Sequence, residues 1–495
     1  HYIVRKSSRI IPTLIALQDE PQLQGILKQA VSTGDINDWD NVFEEVSKMY
    51  PFSHKITISL DCGSDGAKEI FVPLVKDLFE GQLSPVLLRC ISSFIYNYVI
   101  GLAAKRIYIG STDEKMDKVV FYLIRDYLRE NFKRLDYFAN FGKEVEILPG
   151  ARKEVRKTER ISRRLVEVPP ENEREGVYIG VDVGASKVKC VVLEDNKEVK
   201  RAMVETTLTG GEALKILITG LIREVSKGLK VSGIGLSLPG VVDSSNNKII
   251  WLVNYEYKWQ KRDSQPEANL KNDYAALNGM MDELKKEYGI NNVGILNDVS
   301  SFGLASLETD KASGGVLLAL GTGAGTARLE GGLIDMDRIE QSGGFVINVN
   351  EDSFFDEGCS VKGCFAAYAG ESGILDISKK LGLPGIVGNG RLTAYDISKL
   401  LESERGVGYA EARRLYRELS KPIASWIKWM HRMRGDKKFM LAGGTTVGYA
   451  GNELLNGIIQ ILKTELEEAG VSVVLSKVDR EYGGARGAAL FAVAK

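Results

Sequence analysis

Residues 314 to 332 read GGVLLALGTGAGTARLEGG, an apolar run that breaks at Gly321-Thr322-Gly323-Ala324-Gly325-Thr326 and resumes as a second strand-like run from Thr326 to Leu329. Glycines at alternate positions, interleaved with two hydroxyls, make a compact loop whose backbone N–H groups stay open to a phosphate. It is not a Walker loop, which needs Gly-Lys-Ser/Thr, nor a dinucleotide fingerprint, which opens a helix. A chain that carries it must set a glycine turn between two strands of a hairpin.

Two further stretches have a related build. Ile179 to Lys189 reads IGVDVGASKVK. An apolar strand delivers Asp182 to its end, and Gly184-Ala185-Ser186 turn the chain into a second strand. The small residues admit a phosphate. Asp182 repels one and suits Mg2+ instead, held through water. Phe439 to Val447 reads FMLAGGTTV. There a strand ends in Gly443-Gly444 and a helix is expected from Thr445 or Thr446. Backbone at such a turn packs against an adenine ring, and the helix N-terminus favours a phosphate. Taken alone, each stretch is only a glycine turn.

Strands at Val177–Asp182, Val188–Leu193, Val231–Leu238, Val293–Leu296, Val316–Ala319 and Lys438–Leu441 alternate with helices such as Gly210–Lys227. That alternation argues an α/β architecture. The strand from Gly294 ends in Asn297-Asp298, ahead of a helix over Ser300–Leu307. A carboxylate there is either a helix N-cap or a general base for an acceptor hydroxyl. Phosphoryl transfer needs such a base beside Mg2+ and charge neutralisation.

A chain of 495 residues needs more than one core. Residues 1–150 read as mixed α/β, with a strand over Lys55–Asp61 and a helix over Ala67–Leu78 interrupted by Pro73. A helix over Pro85–Ala104, a strand over Arg106–Gly110 and a helix over Thr112–Phe132, capped by Ser111 or Thr112, complete it. Residues 61–68, DCGSDGAK, echo 182-DVGASKVK but read as a plain turn, since no second loop accompanies them. Ala151 to Gly176 is basic, then Pro169-Pro170, then acidic, and reads as a linker.

Basic and acidic residues balance, 65 against 66, so nothing calls for nucleic acid or an anionic membrane as a partner. Five scattered cysteines suit a reducing cytoplasm rather than a disulfide framework. Residues 1–11 lack the apolar core of a signal peptide. Ile91–Ala104 is too short and too polar for a membrane span and reads as a buried helix.

In their order and spacing these pieces resemble the actin, hexokinase and heat-shock chaperone ATPase superfamily, and within it the ROK family of bacterial sugar kinases and repressors. The resemblance covers about residues 177–495. It takes in 182-DVGASK, 233-GIGLSLPGVVD, 297-ND, 320-LGTGAGT, 441-LAGGTT and 483-GGARGAAL. It implies a two-lobed, ribonuclease H-like α/β fold, with lobe I at 177–298 plus a terminal helix at 484–495 and lobe II at 299–483. These follow an N-terminal domain at 1–150 and a linker at 151–176.

The resemblance also implies an ATP-dependent kinase acting on a hydroxyl of a sugar or sugar-like polyol. ATP would be held by Gly184, Ala185, Ser186, Lys187, Gly321, Thr322, Gly323, Gly325, Gly443, Gly444 and Thr445. Asp182 would hold Mg2+ through water. Asp298 would be the base, with Asn297, Asp298 and Gly240 at the acceptor. A cytoplasmic homodimer is expected. The small residues Gly483, Gly484, Ala485, Gly487, Ala488 and Ala489 would let helices cross closely at an inter-lobe hinge.

The chain departs from the family where sugar and zinc are held. Ser342-Gly343-Gly344-Phe345 stands where Glu-x-Gly-His is expected, so Ser342 replaces the Glu and Phe345 the His. In 357-EGCSVKGCFA, Glu357 replaces the first Cys, Ser360 the first Gly and Ala366 the sugar-binding Glu. Cys359 and Cys364 are then expected as core thiols with no structural zinc. Glucose is a poor fit, and Glu340, Glu371 or a residue of the N-terminal domain is expected to meet a different substrate. The alternative is a non-catalytic, sugar-responsive transcriptional regulator or sensor, since the family includes regulators with an N-terminal DNA-binding module. Residues 1–150 are longer than such a module and carry no clear recognition helix.

Overall fold

The structure, a computed structural model, describes residues 25–26, 29–30, 32–49, 54–61, 67–74, 85–102, 104–111, 114–136, 143–150, 165–184, 186–206, 210–252, 255, 266–336, 342–382, 394–402, 408–446 and 448–495. They fall into two compact units. Among the described residues no helix is long and apolar enough to cross a membrane.

The larger unit takes Arg163–Ser342, Ala369–Lys421 and Arg434–Lys495. Its first sheet runs Val293–Asn297, Val231–Leu238, Val177–Val183, Lys187–Glu194, Lys197–Glu205 in spatial order. The first three strands are parallel and the last two antiparallel. Val177–Val183 is buried along its whole length, which is why it reads as an apolar run, broken only by Asp182, and not as an alternation. The second sheet repeats this plan with Ser472–Leu475, Lys438–Ala442, Gly314–Leu320, Ala324–Glu330 and Leu333–Asp335. Two sheets of one strand order make the expected two-lobed α/β plan.

A sixth strand, Leu165–Glu167, pairs antiparallel with Leu333–Asp335. It comes from the stretch read as linker. Val166 is buried there, and the Arg174 guanidinium is also buried. Arg174 pairs with Glu308, whose other oxygen accepts from Arg486. So residues 165–176 are built into this unit, while 151–164, with most of the basic residues, lie outside the described residues.

The terminal helix Gly483–Ala494 packs on Val177–Val183, Val231–Leu238 and the helix Asp298–Thr309. Glycines make the crossing possible. A Cβ at Gly180 would lie 1.8 Å from the Ala485 carbonyl oxygen, and one at Gly487 would lie 1.8 Å from that of Ser301.

The smaller unit takes His1–Ser162, Gly343–Tyr368 and Pro422–Met433. Its sheet runs Ala67–Leu74, His54–Asp61, Arg106–Ser111, Glu146–Pro149, the last pair parallel and the others antiparallel. Helices Ile36–Met49, Pro85–Gly101 and Glu114–Asn131 accompany it. The helix expected over Ala67–Leu78 is a strand over 67–74. Ile70-Phe71-Val72 favours a pleated surface, and Pro73 is tolerated because this strand is at the sheet edge. Ser111 ends a strand and so caps no helix, and Thr112 lies outside the described residues. The strand plan differs from that of the two sheets of the larger unit, since Glu146–Pro149 pairs with Arg106–Ser111 and not with His54–Asp61. Of the echo at 61–68, Asp61 and Ala67 face each other across antiparallel strands, and 62–66 lie outside the described residues.

Segments 343–368 and 422–433, read from sequence as lobe II, pack in this unit because buried polar groups need partners. The Asn97 amide accepts from the Val346 N–H and donates to the Val346 carbonyl, each at 2.8 Å. Asn37 donates to the Ser425 carbonyl at 3.0 Å. The Phe94 and Tyr98 rings meet Trp429 edge-on at 5.0 and 5.6 Å. Backbone at 34–36 also pairs with 347–349, through Ile36 N–H to the Ile347 carbonyl and Val349 N–H to the Gly34 carbonyl.

Candidate active site

In the first sheet of the larger unit, Asp182 and Ser237 are cross-strand partners, as are Leu238 and Asn297. Three parallel strands thus bring their carboxyl ends together, where ligands of open α/β sheets bind. Asp182 is buried and accepts from the Ser237 hydroxyl at 2.8 Å. Burial pushes its carboxyl up, opposed by the Lys189 charge and the Ser237 hydrogen bond. Beyond it the Gly184 N–H donates to the Lys187 carbonyl at 2.9 Å, and the Tyr255 hydroxyl donates to the Gly184 carbonyl at 2.6 Å. Ser186 is exposed and Lys187 half-buried; Ala185 lies outside the described residues.

Asn297 and Asp298 divide two roles that their sequence leaves merged. Asn297 is the N-cap of the helix Asp298–Thr309, its side-chain oxygen accepting from the Val299 and Ser300 N–H groups. Its amide nitrogen donates to the Gly240 carbonyl at 2.8 Å. Gly240 has φ +148° and passes so close to Trp251 that a Cβ would lie 2.1 Å from its carbonyl oxygen. Asn297 and Gly240 are therefore mutual scaffolding. Asp298, whose carboxylate accepts from the Val299 N–H at 3.0 Å, is half-buried. Burial raises its carboxyl to about 7, and the Asp182 charge adds to the rise.

In the second sheet, Leu320 and Ala442 end neighbouring parallel strands. The Gly321 N–H closes on the Gly323 carbonyl at 2.9 Å. Nothing lies within 4 Å of a Cβ built on Gly321 or Gly323, so this face of the loop is open. Thr322 is exposed at its tip. The helix Glu371–Lys380 begins against the loop, the Glu371 N–H donating to the Gly321 carbonyl at 3.1 Å. Glu340 lies outside the described residues. Gly325 faces inward, and a Cβ there would lie 2.5 Å from Val299 Cγ2. Through that contact the loop hairpin meets the helix that starts at Asp298. Gly443 has φ +93° and abuts the Leu320 carbonyl, setting the two loops side by side, while Gly444 has open space. Thr445 is buried and begins the expected helical segment as a 3-10 turn over Gly444–Thr446, ahead of the helix Gly448–Ile461.

Sequence reasoning passed over Ser237, which holds Asp182, although it sits in 233-GIGLSLPG beside other small residues. It also passed over Asp356. In the smaller unit one ligand atom each of Asp356, Cys359 and Cys364 lies within 4.8 Å of the others. The two thiols are buried as expected, and the Asp356 carboxylate beside them lies one residue before the position compared with the family's first Cys.

The model of the ROK family matches residues 178–495, well over half the chain. The chain belongs to the ROK family. Among solved structures, a ROK family glucokinase from Streptomyces griseus, in complex with glucose and AMPPNP, is similar at 20% identity and a TM-score of 0.50, over 63% of this chain and 98% of that one. A ROK family transcriptional regulator, described as a homologue of the E. coli MLC protein, is similar at 16% identity and a TM-score of 0.52, over 65% of this chain and 78% of that one. At those identities the likeness is one of fold. No curated protein matches the chain. Kinases and a regulator thus both share this ROK fold.

Proposed function

We propose that this ROK protein is an ATP-dependent kinase that phosphorylates a hydroxyl of a sugar or sugar-like polyol, with Asp298 as the general base. The observation that carries the reading is the division of labour at 297–298. Asn297 takes the cap, and the Asp298 carboxyl is left half-buried with its proton affinity near neutrality. A base works best when its pKa lies near the working pH. The open face of Gly321 and Gly323 and the turn at Gly443-Gly444 suit the phosphates and adenosine of ATP, with Mg2+ near Asp182. A cytoplasmic homodimer belongs to the same reading.

A non-catalytic sensor or regulator is the second reading, favoured by Ser342, Phe345 and Ala366 at positions where the family holds sugar hydroxyls. A site stripped of those partners loses its discrimination for the ordinary sugar. Against it, the described N-terminal residues build a four-stranded sheet that shares a core with 343–368 and 422–433, unlike a tethered three-helix DNA-binding module. ATP turnover with a panel of polyols, set against binding to operator DNA, separates the two. Polyol-dependent ADP release supports the kinase, and its absence together with specific DNA binding defeats it.

A further inference from the structure

We propose that Tyr255 is a positioning residue for the phosphate loop that begins at Gly184, its hydroxyl keeping the Gly184 carbonyl from facing the phosphates of a bound nucleotide. The proposal rests on the kinase reading above and adds to it a residue outside every glycine motif.

A loop that binds phosphate through backbone N–H groups has a liability built in. Each peptide unit also carries a carbonyl oxygen, and one turned toward a phosphate repels it. Here three carbonyls of the loop are taken up by the protein itself. The Lys187 carbonyl accepts from the Gly184 N–H at 2.9 Å, and the Ser186 carbonyl accepts from the Thr206 N–H at 2.9 Å. The Gly184 carbonyl accepts from the Tyr255 hydroxyl at 2.6 Å. The first two are backbone pairs, made at the ends of strands that are already hydrogen-bonded neighbours. Of the three, the hold on Gly184 alone comes from a side chain. It acts on a glycine, the residue whose backbone turns most freely.

Tyr255 is itself held from the other half of the site. It is 1% exposed and belongs to the core of the first sheet. Its N–H donates to the Leu252 carbonyl at 3.2 Å, and the Leu252 N–H donates to the Tyr274 hydroxyl at 2.9 Å. The neighbouring Trp251 carbonyl lies against Gly240, whose own carbonyl accepts from Asn297, the residue before Asp298. A short chain of contacts thus runs from the candidate base to the phosphate loop and ends at the Tyr255 oxygen. Preorganised dipoles of this kind cost no rearrangement when charge arrives. Burial pushes the phenol up, and the Asp182 charge adds to the rise, so the hydroxyl stays a donor through the neutral range.

The test is calorimetric titration of the full chain with Mg2+-AMPPNP, beside thermal melts without nucleotide. Tyr255→Phe keeps the buried ring and removes only the oxygen. Tyr288→Phe is the control, since its hydroxyl pairs with that of Ser226 at 2.8 Å in the same unit, outside the candidate site. Each variant loses one hydrogen bond and should melt within about 4 °C of the wild type. Tyr255→Phe should bind Mg2+-AMPPNP about tenfold more weakly, while Tyr288→Phe binds it as the wild type does. The proposal is overturned, with the kinase reading left standing, if Tyr255→Phe matches the wild type in affinity. It is equally overturned if Tyr288→Phe weakens binding as much, or if the loss in Tyr255→Phe comes with a collapsed melt, since Tyr255 is then structural only. A wild type that binds no Mg2+-AMPPNP removes the kinase reading and this proposal with it.

Discussion

Asn297 donates its side-chain amide to the Gly240 carbonyl at 2.8 Å. With its oxygen capping the helix Asp298–Thr309, the side chain has both ends committed to holding the backbone. The neighbouring Asp298 carboxylate accepts from the Val299 N–H at 3.0 Å and is half-buried, and the first prediction tests its role. Asp298→Asn should keep the fold and bind ATP with a Kd within about twofold of the wild type. Its kcat should fall by about a hundredfold to ten-thousandfold, the usual contribution of a general base. Turnover assays and ATP titration on one preparation check this.

A second prediction concerns pH. Folded and metal-free, Asp298 keeps its proton up to about pH 7, against a reference near 3.8. The folded state binds the extra proton between those values, so this residue's contribution makes stability fall as pH rises from about 4 to about 7. Asp298→Asn should lack that slope, matching the wild type near pH 4 and exceeding it above pH 7. Melting temperatures across the range read this directly. Asp182→Asn removes the facing charge and should move the Asp298 titration to lower pH. In the kinase reading, kcat of the wild type rises through an apparent pKa near 7.

The third prediction addresses the union of the N-terminal region with segment 343–368. Asn97→Leu keeps the volume but leaves the Val346 N–H and carbonyl buried and unpaired. The loss should be about 2–4 kcal/mol, from two hydrogen bonds and two stranded groups. Urea unfolding checks it, and a midpoint equal to that of the wild type would sink the shared core.

A fourth prediction sets two glycines against each other. Gly487→Leu, which the hinge expectation treats as a turnover lesion, forces a side chain into the Ser301 carbonyl, only 1.8 Å from the Cβ position. It should lower the melting temperature sharply before any question of turnover arises. Gly220, within the helix Gly211–Val225, has nothing within 4 Å of its Cβ position. Gly220→Ala should raise stability by about 0.5–1 kcal/mol. Thermal melts of the two variants decide the matter.

The central strands of the larger unit were legible because burial on both faces writes them as apolar runs, Val177–Val183 above all, whereas the mostly exposed Lys197–Glu205 carries no such run. The glycine loops were legible because their residue types are the feature itself. The separate roles of Asn297 and Asp298 were not, since either residue can cap a helix and only the carbonyl of Gly240, 57 positions away, shows which does. The clamp of Asn97 on Val346 was not, because nothing local records a meeting across 249 residues. Ala67–Leu74 was misread because an edge strand tolerates the proline that a helix pattern cannot explain.

The short strand Leu165–Glu167 bears on where this protein can be cut. It covers the outer edge of the second sheet, Leu333–Asp335, and Arg174 behind it satisfies half of the Glu308 carboxylate. A fragment trimmed to the family match, 178–495, would bare that edge to other chains and leave Glu308 with Arg486 alone. Exposed strand edges template aggregation. The strand Leu165–Glu167 therefore acts as a hem on the ROK fold, and a soluble ROK portion should begin before residue 165.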